Sequence, residues 1–90
     1  MSSLSPTFEE IMAMSPQEAI YVLNDIIAKN PVNDEAYFLR GKKHWALNQY
    51  RLAINDFIKA VEINPKSQAS LMIDYSNSVL DYYNQDLLNP

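Results

Sequence analysis

Two Asn-Pro steps, Asn30-Pro31 and Asn64-Pro65, stand 34 residues apart in a chain of 90. A residue that precedes proline is pushed out of the helical region, so each step ends whatever helix runs into it. Apolar residues recur at helical spacing before both steps. Ala19, Ile20, Leu23, Ile26 and Ile27 precede the first, and Ala53, Ile54, Phe57 and Ala60 the second. A shift of 34 places Ala19-Ile20 on Ala53-Ile54, Leu23 on Phe57 and Ile26 on Ala60. A helix and its stop are thus used twice at a fixed interval.

The remaining segments carry helical signals as well. Ser15-Pro16-Gln17-Glu18 has the spacing of a capping box with proline at the first helical position, which predicts a helix through Lys29. Periodicity resumes at Asp34 and runs to about Leu47, breaks at Asn48-Gln49, and continues from about Tyr50 to Ile63. A last helix is expected from near Ser67, carrying Leu71, Met72, Tyr75, Val79, Tyr82 and Tyr83. Ser5-Pro6 is expected to open a short helix through about Met14. No stretch alternates with period two for long enough to make a strand. The expected fold is all-α, about five helices joined by tight turns.

A 34-residue period with a helix, a turn, a helix and a closing proline resembles the tetratricopeptide repeat. Residues 34–67 are similar to one complete copy. Tyr37 stands in the position of the family's large aromatic, Gly41 in its glycine position, and Tyr50 at the mouth of the second helix. Ala53, Phe57 and Ala60 match its small, aromatic and small positions, and Pro65 closes the copy. His44 replaces the usual tyrosine and Arg40 the usual leucine. Residues 1–33 look like a degenerate repeat with a shortened first helix, and residues 68–90 like a capping helix. The resemblance implies a single domain, a short solenoid of helical hairpins whose ends need sealing.

The hexapeptide RGKKHW, residues 40 to 45, gathers the chain's only Gly, His and Trp. Within a helix, glycine costs roughly 0.5–1 kcal/mol relative to alanine, so Gly41 needs a compensating role. With Ala53 opposite, it is expected to let two helices approach closely. A phosphate loop would need several glycines between a strand and a helix. His44, three residues on and on the same side, is expected to be a half-buried packing residue. No nucleophile–base spacing accompanies it, and one His with no Cys falls short of a metal site. Neither a catalytic set nor a cofactor is expected.

Phe38, Lys42 and Trp45 form a second stripe, at spacings of four and three. The resemblance implies that this stripe lines a concave groove where partners dock, continued on the last helix by Met72, Ser76 and Val79. The first helix offers Phe8 and Met12. With so few helices, Phe38 and Trp45 have an alternative place, buried beneath the first or the last helix. Some members of the family hold chaperone tails with a clamp of lysines and asparagines on this face. The matching positions here hold Leu4, Phe8, Phe38 and Lys42, and one lysine does not make that clamp.

Charge narrows the partners. The formal net charge is -4 and the pI about 4.7, which argues against a general nucleic-acid binder. Arg40, Lys42 and Lys43 point different ways round one helix. All seven basic residues lie between Lys29 and Lys66, so the middle of the chain is positive and both ends acidic. That pattern serves either attraction between neighbouring elements or a positive strip that attracts an acidic segment. No apolar stretch approaches the ~18 residues of a membrane span, and MSSLSPTFEEIM lacks the basic start and apolar run of a signal peptide. A cytoplasmic protein that binds a protein or peptide without catalysis is the leading expectation. Self-association through the tyrosine-rich last helix, as a homo-oligomer, is the alternative.

Overall fold

The computed structural model describes residues 6–76. Four helices lie within them: α1 Phe8–Ala13, α2 Pro16–Lys29, α3 Asp34–Ala46 and α4 Tyr50–Ile63. A fifth, α5, is helical from 69 to 76, the last described residue. No strand occurs among the described residues.

The caps show why the helices begin where they do. α1 opens at Phe8, later than the Ser5-Pro6 pattern predicts. Thr7 Oγ1 accepts from the Glu10 N–H at 3.1 Å while Glu10 Oε1 accepts from the Thr7 N–H at 2.8 Å. This reciprocal box satisfies two orphan donors. Ser5 has Phe8 three residues on, which offers no acceptor. At α2 the predicted box is half formed. Ser15 Oγ accepts from the Glu18 N–H at 3.3 Å, Pro16 occupies the first position, and no return bond from Glu18 reaches Ser15. Asn33 caps α3 by accepting from the Ala36 N–H at 3.1 Å.

The break between α3 and α4 is a tight reversal. Asn48 sits at φ 62, a left-handed conformation that asparagine tolerates better than most side chains. Its N–H donates to the Trp45 carbonyl at 2.9 Å, and the Gln49 N–H donates to the His44 carbonyl at 2.9 Å. These are the two bonds of a Schellman cap, which satisfy the last carbonyls of α3 and let α4 start at once. The two Asn-Pro stops end their helices alike. Asn30 (φ -143) and Asn64 (φ -138) leave the helical region, and their N–H groups donate to Ile26 and Ala60. Asn64 Nδ2 also donates to Asp34 Oδ2 at 3.1 Å, tying the end of α4 to the start of α3.

Among α1 to α4, consecutive helices pack on one another, α3 with α4 most extensively and α1 with α2 least. Two buried clusters result, with α3 serving both. Ile11, Ala19, Leu23, Ala36 and Leu39 join α1, α2 and α3. Tyr37, Ala53, Phe57, Ala60 and Ala69 join α3, α4 and α5. Positions 34 residues apart are buried in the same way: Ala19 with Ala53, and Leu23 with Phe57, all fully inaccessible.

Gly41 sits where α3 meets α4. A Cβ built there would lie 2.5 Å and 2.7 Å from two ring carbons of Phe57, and 3.1 Å from the Ala53 carbonyl oxygen. The close approach is therefore chiefly to the Phe57 ring, with Ala53 contributing backbone. Phe57 is fully buried and cannot swing away. Gly41→Ala gains roughly 0.5–1 kcal/mol of helix propensity, but overpacking costs typically 1–3 kcal/mol. The overpacking wins. Thermal or denaturant unfolding of Gly41→Ala should show a net loss of about 1–2 kcal/mol. A variant as stable as the parent would mean that the ring has room to shift.

Candidate functional site

The basic residues of RGKKHW diverge as expected, and each finds a different partner. Arg40 turns inward. Its Nε donates to Asp56 Oδ2 at 2.8 Å and its Nη2 to Asp56 Oδ1 at 2.7 Å, a two-pronged pair. Nη1 donates to Asn24 Oδ1 at 2.9 Å. One side chain from each of α2, α3 and α4 thus meets at a single guanidinium, whose central carbon also lies 5.5 Å from the centroid of the Tyr37 ring. Hydrogen bonding to Asp56 is the main cause that raises the Arg40 guanidinium above its ordinary value, against desolvation, which lowers it. Asp56 is 5% exposed. A buried carboxylate is stable only when paired and hydrogen-bonded, and here it is both.

This network was not anticipated from the sequence, although a signal for it exists. Asp56 lies three residues after Ala53 and four before Ala60, inside the apolar stripe of α4. Arg40 lies one turn before His44 on α3. Two opposite charges on the facing stripes of successive helices are candidates for a pair.

His44 is half-buried, as expected, but its surroundings are polar. Nδ1 lies 2.8 Å from Gln49 Oε1, and Nε2 lies 3.7 Å from Asp56 Oδ2. Both ring nitrogens face protein groups. Lys43 reaches across to α1, where Nζ donates to the Met12 carbonyl at 2.8 Å and the Met14 carbonyl at 3.4 Å.

Lys42 alone of the three basic residues faces solvent. Its Nζ lies 5.3 Å from the centroid of the Phe38 ring, a cation–π distance. Phe38 is half-buried and packs on both clusters, its ring centroid 6.2 Å from that of Phe57. Trp45 is half-buried too. Its ring meets Tyr50 edge-on at 4.5 Å and stands 6.1 Å from Tyr75 of α5. Such aromatic pairs add about 0.5–1.5 kcal/mol beyond their buried area. Phe38 and Trp45 are therefore both packing residues and surface residues, each showing one side to solvent.

The expected continuation on α5 is mixed. Met72 is half-buried against the second cluster. Ser76 is fully buried and so does not line an open surface. Val79 lies outside the described residues. Tyr75 is 56% exposed and flanks Trp45. The exposed face thus comprises Lys42, the outer sides of Phe38 and Trp45, the half-buried Met72, and Tyr75. At its lower end, beside Phe38, is an open cleft of about 410 Å³ lined by Asp34, Glu35, Asn64, Lys66, Ser67 and Gln68. Another hollow, of about 510 Å³, is lined only by residues from the continuous stretch 48–55 and brings no distant groups together.

The repeat-signature side chains fall on the α3–α4–α5 junction. Tyr37, Ala53, Phe57 and Ala60 are buried, Tyr50 braces Trp45 and donates its hydroxyl to Asn48 Oδ1 at 2.8 Å, and Pro65 is an exposed turn residue. No described helix is long and apolar enough to cross a membrane. No known protein family, curated protein or solved structure matches the chain.

Proposed function

We propose that the chain is a non-catalytic protein-interaction module of tetratricopeptide type, which receives a peptide or helix of another protein on the face formed by α3 and α5. The observation that carries this reading is the equivalence of residues 34 apart. Ala19 and Ala53, and Leu23 and Phe57, are alike fully buried, and the helices that carry them end alike at Asn30 and Asn64. In this reading residues 34–67 are the complete repeat, 1–33 a degenerate one and 68–90 a cap, in a cytoplasmic adaptor. Half-exposed aromatics beside the exposed Lys42 are good anchors for a partner, because aromatic area is buried at low entropic cost.

Panning a displayed random-peptide library against the intact chain tests this. Enriched peptides should protect Trp45 from acrylamide quenching and lose binding by about tenfold, ~1.4 kcal/mol, against Lys42→Glu. Lys42 is exposed, so this substitution leaves the packing intact. Peptides indifferent to Lys42→Glu, and without effect on Trp45, would move the site elsewhere. A second reading, self-association, is favoured by Leu71 at 70% and Tyr75 at 56% exposure on α5. It predicts a rise in light-scattering mass with concentration, and a monomer at high concentration would sink it.

A further inference from the structure

We infer that Lys43 is a latch that holds α1 closed over the α2–α3 core, and that α1 opens as a separate local unit when that latch is lost. Three observations converge. α1 has only six residues, far short of the ~12–15 that an isolated helix needs even for marginal stability. Its packing on α2 is the slightest of the consecutive pairs among α1 to α4. It carries no basic residue in its last turn, so nothing of its own offsets the partial negative charge at its C-terminus. The missing cation comes from another helix, 31 residues along the chain from Met12. Lys43 Nζ, on α3, donates to the carbonyls of Met12 at 2.8 Å and Met14 at 3.4 Å. The ammonium therefore does what a C-terminal capping side chain does within a helix.

Beneath α1 lies a seat worth closing. Ile11 is fully buried against Ala19, Leu23, Ala36 and Leu39, and Phe8 packs on the same cluster. When α1 lifts, this apolar strip on α2 and α3 meets solvent, while Phe57 and its neighbours stay packed in the second cluster. The buried residues of α3 divide between the two clusters, Ala36 and Leu39 in one and Tyr37 in the other, while the half-buried Phe38 and Ile27 touch both. That division allows one to open without the other. The latch stands whether or not the α3–α5 face receives a partner.

Native-state hydrogen exchange on the intact chain reads this directly. In Lys43→Met, the amides of Ile11 to Met14 should exchange about five- to thirtyfold faster, the population change expected for a contact of this size. Amides of α4 should keep the parental rate, and Lys43→Arg, which retains the charge and donors, should keep α1 slow. Unchanged α1 exchange in Lys43→Met would overturn the latch. So would a uniform acceleration through α3 and α4, because Lys43 would then support the whole fold rather than α1.

Discussion

Truncating Phe57 to alanine destabilises the fold by about 3–5 kcal/mol, the usual cost of deleting a fully buried ring. The chain has 90 residues, and a domain of that size has a total stability of about 5–13 kcal/mol. The loss is therefore a large fraction of the whole. It should appear as a fall in midpoint of well over 10 °C, at about 4–8 °C per kcal/mol for a domain of this length. Phe57 earns this weight from its position. It is the largest fully buried side chain among the described residues, its ring fills the space opposite Gly41, and it stands 6.2 Å from Phe38. Removing it opens a void where α3, α4 and α5 converge, and small neighbours such as Ala53, Ala60 and Ala69 cannot refill it. A double-mutant cycle sharpens the test. Gly41→Ala should cost less beside Phe57→Ala than alone, because the clash is with that ring. Additive effects would show that Gly41 is tight against something else.

Arg40→Leu is expected to cost about 3 kcal/mol, the low end of the range for breaking a buried ion pair. The low end applies because the Arg40 side chain is 21% exposed and solvent already screens part of the pair. Most of the cost is carried by Asp56, whose side chain is 8% exposed and would be left without its two-pronged donor. Replacing both partners, as Arg40→Leu with Asp56→Leu, should recover most of the loss, since apolar groups of similar volume leave no stranded charge. If the double variant is no more stable than Arg40→Leu, the stranded carboxylate is not the cause. The pH dependence has a definite sign. A guanidinium raised by its partner contributes fully below its unfolded-state value and loses that contribution only above the folded one. Both lie in strongly alkaline solution, so the Arg40 side contributes equally at neutral and mildly alkaline pH.

These two sites divide the work of specifying the fold. Phe57 supplies burial, which is large and non-directional. The Asn24–Arg40–Asp56 set has narrow geometric demands, and it is satisfied only when α2, α3 and α4 hold one register. The Lys43 bridge to α1 adds a lesser constraint at one end.

Much of the fold was legible in the residues because it is governed by local rules. Asn30-Pro31 and Asn64-Pro65 stop helices through sterics that need no partner, and α4 runs over Tyr50–Ile63 as its periodicity predicts. The Gly41 packing role was legible for a similar reason, since a lone glycine in a helical run requires a close neighbour. The starts were less secure. α1 began at Phe8 because Thr7 and Glu10 together satisfy more donors than Ser5 can. At Asn48 the sequence announced a break, and its side chain accounts for the left-handed backbone found there.

What the sequence alone determined, then, is the set of helices, their stops, the 34-residue recurrence and the stripes each helix presents. Only the tertiary structure decided what each stripe meets. It paired Arg40 with Asp56 and Asn24, sent Lys43 to the carbonyls of α1, set Trp45 between Tyr50 and Tyr75, and buried Ser76. The physical reason is one of range. Helix formation and termination depend on neighbours within about one turn, whereas the contacts of Arg40 with Asp56 and of Lys43 with Met12 join groups 16 or more positions apart, whose placement follows from how the helices cross. The hexapeptide RGKKHW contains both kinds of information. Its spacing fixes which residues share a side of α3, and the packing of four other helices determines that Lys42 and part of Trp45 remain in contact with solvent.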